Sequence, residues 1–316
     1  MSGFRASVAV LAVLALATMP AFAHGAEALP DDDRAWWTAW NWAQPVVVTN
    51  LSVLSAAYLF GLARLWKRCG WGKAVPGRQA LAFAAGMASL SLALVSPIDV
   101  FSDEWAWMHM IQHMLLVGVA APLLVLGMPF LVLMWALPLS WRRGYGRVKH
   151  CIERWKPGRY FFWQPVVTWL LFALVLWIWH FPPLYEAALS SEVFHDFQHF
   201  SFVAVACLFW RVLVDPLSRL KLNRPMGVVY LFLTSLHATL LGVFMTLAPK
   251  AWYPFYAAKA ARGNLSALKD QQLAGLIMWM PACMVYALVA ALLLGLWLRD
   301  DSGHSAETAR PWEPAD

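Results

Sequence analysis

Charge is scarce in this chain. Only 13% of its 316 residues are Asp, Glu, Lys or Arg, against about 25% in soluble domains. So few charges cannot cover a water-facing globular surface, which excludes an ordinary soluble fold. Cysteine is equally uninformative as a framework. The four cysteines form no C-x-x-C motif; Cys69 and Cys151 fall in basic loops, and Cys207 and Cys283 inside apolar runs. That excludes a disulfide scaffold and gives no sign of thiol chemistry. There is no Gly-rich phosphate loop, no nucleophile constellation and no general acid–base pair, so nothing asks for an enzyme. The net charge of +6 belongs to basic loops and says nothing of nucleic acid.

What the chain has in abundance is apolar sequence, 61% of all residues. The opening MSGFRASVAVLAVLALATMPAFA carries one Arg before an apolar stretch and ends on Ala21-Phe22-Ala23. This is the pattern of a secretory signal peptide over residues 1–23, cleaved to leave His24 first. An uncleaved anchor is the alternative. Seven long apolar runs follow, at 45–66, 78–98, 107–127, 162–180, 194–214, 226–248 and 272–298, each near the ~20 residues that a bilayer requires. The expected fold class is an all-α integral membrane protein with seven transmembrane helices. A segment at 24–44 precedes a membrane domain at 45–298, and the Pro-containing polar tail, 299–316, has the composition of a disordered segment. Pro122, Gly127 and Pro129 are expected to kink or end the third span.

Lys and Arg crowd the loops at 64–79, 140–160 and 211–224, whereas the loops bearing Asp99, Asp103, Glu104, Glu186 and Glu192 are acidic. The positive-inside rule then puts the mature N-terminus outside and the C-terminus in the cytoplasm. One loop dissents: residues 249–271 carry Lys250, Lys259, Arg262 and Lys269. It is long enough for a short surface helix. Many of the 20 tryptophans, among them Trp40, Trp42, Trp105, Trp107 and Trp252, sit at expected span ends as interface anchors.

On this topology five histidines collect near one face. His109 and His113 open the third span, His180 closes the fourth, and His195 and His199 open the fifth. His237 lies deeper, about 17 Å from the outer end of the sixth span at helical rise. Residues 109–120, HMIQHMLLVGVA, echo residues 195–206, HDFQHFSFVAVA. Both read H-x-x-Q-H, and residues at i and i+4 share a helical face. Each pair thus aims two imidazoles at one place. Imidazole ligates copper, zinc, iron and nickel, and thioethers select Cu(I); Met108, Met110 and Met114 flank the first pair, and Met245, Met278 and Met280 fall in the outer halves of the sixth and seventh spans. Asp103 and Asp196 are candidates to orient ring N–H groups. A lone interfacial histidine is ordinarily just a polar group, and methionine is a common core filler, but ionisable residues inside a membrane point to function. A free His24 amine and imidazole would offer a separate two-point chelate for Cu(II). His150 and His304 read as incidental.

The run HMIQHMLLVGVAAPLLVLGMP, then WHFPPLYEAAL, then H-x-x-Q-H opening the next span, resembles the multi-pass CtaG-type cytochrome c oxidase assembly factors over about residues 40–300. That resemblance implies a multi-pass protein of the bacterial plasma (inner) membrane that matures haem-copper oxidases. It also implies copper supply, oxidase subunits as partners, periplasmic copper chaperones as donors, and a role for His109, His113, His180, His195 and His199. His237 joins them on the residue reading alone. Two alternatives stay open. Histidines on facing helices can ligate haem iron, making a membrane cytochrome or haem-modifying protein, although no Arg or Lys adjoins the runs to meet propionates. A copper transporter would use His237, with Thr234, Ser235 and Thr239, as a step inward. A scaffold without metal is the remaining possibility.

Overall fold

The structure is a computed structural model that describes residues 40–42, 44–143, 165–218, 221–260 and 265–308. The expected signal peptide, His24 and His150 lie outside the described residues. Among those described there are helices and no strands. In order they are α1 (Pro45–Cys69), α2 (Gly77–Val95), α3 (Pro97–Ser102), α4 (Ala106–Met114), α5 (Ala121–Leu126), α6 (Pro129–Ala136), α7 (Pro165–His180), α8 (Pro182–Ser190), α9 (Glu192–Val214), α10 (Arg224–Thr246), α11 (Pro254–Ala260) and α12 (Ala267–Thr308). Among the described residues six helical stretches are long and apolar enough to cross a membrane, and the count is seven if the bent pair α7 and α8 is one span. The protein is an all-helical, multi-pass membrane protein.

Proline sets most of the boundaries. Pro45, Pro97, Pro129 and Pro182 each stand in the first turn of their helix, where the missing N–H costs nothing. Between α7 and α8 the axis turns by 74°. Phe181, held extended at φ −68° and ψ 124°, precedes two prolines, and a residue before proline is pushed out of the helical region. In the third span α4 passes into α5 through a wide π turn, Leu115–Ala120. Pro122 follows directly and cannot donate to the carbonyl four residues back, a situation that loosened helical turns accommodate. The span ends at Gly127 and Met128, the latter in the left-handed region at φ 52°, before α6 begins.

Close backbone approach holds the spans together. A Cβ on Gly61 would stand 2.1 Å from the Val132 carbonyl oxygen of α6, and one on Gly275 would meet Thr246 Oγ1 at 2.6 Å and the Gly242 carbonyl oxygen at 2.8 Å. Small residues at such crossings are how membrane helices gain packing where no hydrophobic drive exists between them. Helix α9 is the central element, 78% of its apolar window being enclosed, against 11% for α12. The outward faces carry Leu81, Leu174, Phe232, Leu288 and Leu292, side chains suited to acyl chains. Helix α12 runs on to Thr308, beyond the expected start of a disordered tail at 299. Arg224, in the first turn of α10, donates to the Leu296 carbonyl at 2.8 Å and pairs with Asp300, anchoring this stretch.

Candidate metal centre

The histidine helix α4 begins without a cap of its own, since the Trp105 side chain makes no capping bond. Asp270 of α12 takes that role from across the bundle, accepting the Ala106 N–H at 2.8 Å and the Trp107 N–H at 3.0 Å. A carboxylate at a helix N-terminus satisfies orphan donors and complements the helix dipole. The Gln of the first H-x-x-Q-H locks the same helix on its other side. Gln112 Nε2 donates to the Ala93 carbonyl and to Asp99 Oδ1, both at 2.9 Å, and Asp99 also accepts from Asn41 and Gln44. Thus α4 is held in register and in rotation before any histidine is considered.

The two pairs converge. Ring centres lie 4.3 Å apart for His109–His113 and for His195–His199, 5.1 Å for His109–His195, 5.9 Å for His109–His199 and 5.3 Å for His113–His199. His109, His113 and His199, all buried, each bring a ring nitrogen within 4.8 Å of the others. His195 flanks this group and is half-buried. His180 is buried at the end of α7. His237 stands elsewhere: its ring neighbours are Trp169, edge-on at 5.3 Å, and Phe172 at 6.4 Å.

Hydrogen bonds fix two of the tautomers. Tyr256 Oη donates its single proton to the Ser102 carbonyl at 2.9 Å. It therefore accepts from His109 Nδ1, also at 2.9 Å, so His109 carries its proton on Nδ1 and presents a bare Nε2. By the same logic His180 Nδ1 donates to the Leu176 carbonyl at 2.7 Å, and His180 Nε2 is a bare lone pair with no hydrogen-bond partner. Orientation of a ligating imidazole through its other nitrogen is the usual arrangement behind a metal. For these two rings the orienting groups are a tyrosine and a carbonyl. His109 Nε2 accepts the His113 Nε2–H at 2.9 Å. Two nitrogens each about 2.0 Å from one ion stand roughly 3 Å apart, so this spacing suits a shared ion. His113 Nδ1 has no partner either. Each buried acceptor left unpaired costs about 1–3 kcal/mol, and such a group in a native fold asks for an explanation.

A lid closes this end of the bundle. Helix α11 and its approach put Tyr253 Oη on the His180 carbonyl at 3.1 Å and the Phe255 N–H on Glu186 Oε1 at 3.1 Å. Lys259 donates to the Asp103 carbonyl at 2.6 Å and lies 3.3 Å from Glu104. One of the cations that break the loop-charge pattern is thereby neutralised. Sequence reasoning missed Tyr256, Asp270 and the duty of Gln112. For Gln112 the repeated motif held the signal. For Tyr256 the only trace was the aromatic density of the dissenting loop.

The model of the family described as cytochrome c oxidase caa3 assembly factor (Caa3_CtaG) matches residues 56–300. Uncharacterised proteins of Mycobacterium bovis and Mycobacterium tuberculosis are each 27% identical to the chain over 272 residues, 84% of this chain and 40% of theirs. An uncharacterised protein of Mycobacterium leprae is 24% identical over 286 residues, 86% of this chain and 41% of its own. The chain thus spans about two fifths of the length of these curated relatives. No solved structure matches it.

Proposed function

The chain belongs to the cytochrome c oxidase caa3 assembly factor family, and from that premise we propose that it holds copper as cargo on His109, His113 and His199 and passes it to a haem-copper oxidase subunit. One observation carries the reading: three buried histidines from α4 and α9 bring ring nitrogens within 4.8 Å, one of them turned inward by Tyr256. Three neutral imidazoles in a closed site favour Cu(I) over Cu(II), because the cost of burying an ion grows with the square of its charge, about fourfold between the two. His195 and His180 border the site as further ligands on the route in or out. The loop charges put this end on the periplasmic side of a bacterial inner membrane, behind a cleaved signal peptide, with periplasmic copper chaperones as donors. No step asks for catalysis. Haem fits less well, since the cavity beside the histidines measures about 20 Å³, against the ~300–1,000 Å³ of pockets that hold organic ligands and cofactors.

Copper content of the detergent-solubilised protein after Cu(I) loading, read beside its visible spectrum, tests this. Stoichiometric copper that disappears in His113→Ala/His199→Ala, with no Soret band and with loss of oxidase activity in cells at equal protein level, is the expected result. A Soret band, or oxidase activity indifferent to the double substitution, sinks it.

A further inference from the structure

The methionines interleaved with the first histidine pair form an i,i+4 pair of their own. Met110 and Met114 stand one residue on from His109 and His113, so their stripe is rotated by about 100° around α4. That stripe lines a small cavity together with Met278 of α12, and His113 and His180 border it. Met110 and Met278 are fully buried. At about 20 Å³ the void holds a single water or ion. Phe172, Phe202 and Leu176 make much of the rest of the wall apolar, a setting that suits a soft ion held by thioethers. The bordering histidines supply two nitrogens without hydrogen-bond partners, Nδ1 of His113 and Nε2 of His180, and the second has been shown above to be a bare lone pair. The other H-x-x-Q-H has Asp196 and Phe200 where the first has Met110 and Met114, so the sulfur stripe belongs to one helix only.

We infer that this cavity is a second, softer copper position, in which Cu(I) is bound by the His180 imidazole and the thioethers of Met110, Met114 and Met278. The inference rests on the copper reading of the three-histidine centre. Thioethers select Cu(I), and His113 borders both positions, so the two ligand sets adjoin and hold copper in the same oxidation state. The two positions give the protein a capacity of two ions per chain, one nitrogen-ligated and one sulfur-ligated.

Full-length protein in detergent, loaded anaerobically with Cu(I), tests it by copper stoichiometry and X-ray absorption at the copper edge. The expected result is two copper ions per chain and a sulfur shell. The Met114→Leu/Met278→Leu variant, whose substitutions keep volume, retains one ion and loses the sulfur shell. The His109→Ala/His199→Ala variant retains one ion and keeps it. Gel filtration and helical circular dichroism confirm that each variant is folded. One nitrogen-only copper in the wild type, unchanged in the methionine variant, overturns the thioether position and leaves the histidine centre standing. Copper-free wild-type protein overturns both.

Discussion

Tyr256 decides what His109 can do. Because its proton goes to Ser102, its oxygen is obliged to accept from His109 Nδ1, and that leaves Nε2 bare and inward. Tyr256→Phe removes the acceptor without adding bulk. Loss of a partner that orients a metal ligand typically weakens binding about 10–100-fold, so the variant is expected to release copper to a colorimetric Cu(I) chelator at least about tenfold more readily than wild type. Equal competition curves would show that the tautomer is set by something else. The histidine pairs themselves were legible in the sequence, because four residues on a helix is a local relation that survives any tertiary arrangement. The Tyr256 contact was not, since it joins residues 147 positions apart and no periodicity encodes it. The methionine stripe was visible as residues, but only the cavity beside it separates a ligand set from ordinary core filling.

Among the elements, the placement of α4 and the crossing of α10 with α12 carry the site. Asp270 accepts two backbone N–H groups at the start of α4, and an amide in its place keeps only one acceptor oxygen. Asp270→Asn is expected to lower stability by about 1–3 kcal/mol, the cost of a buried donor left unpaired, measured as a fall in melting temperature in detergent with copper-free protein. Copper affinity should fall with it, because α4 brings two of the three central ligands. At the crossing, Gly275→Ala forces a methyl group into the Gly242 backbone, 2.8 Å from its oxygen, and overpacking of this kind costs about 1–3 kcal/mol. Gly295→Ala on the same helix meets nothing within 4 Å and should be neutral or gain up to about 1 kcal/mol from helix propensity. Similar melting temperatures for the two alanine variants would contradict the close crossing. Spans were readable from hydropathy to within a few residues. The π turn, the 74° bend at Phe181 and the extension of α12 were not, because each depends on how a proline or an ion pair is accommodated by neighbours.

At the scale of the whole molecule, the histidine end has one identity if it faces the periplasm and another if it faces the cytoplasm, and loop charge is the argument for the former. The basic loops outnumber the dissenting one, and within that one Lys259 is paired with Glu104, so its charge is a weaker topogenic signal than its count suggests. Cys69 is exposed at the end of α1, in a loop expected on the cytoplasmic side, while Lys250 is exposed beyond α10, at the histidine end. A membrane-impermeant maleimide should leave native Cys69 unlabelled in intact cells and label it after lysis. In a Cys69→Ser/Cys151→Ser background, Lys250→Cys should be labelled without lysis. The reverse pattern would put the histidines on the cytoplasmic face, where a periplasmic donor cannot reach them. The expected pattern places both proposed copper positions at the periplasmic end of the bundle, on the side from which a periplasmic donor can load them.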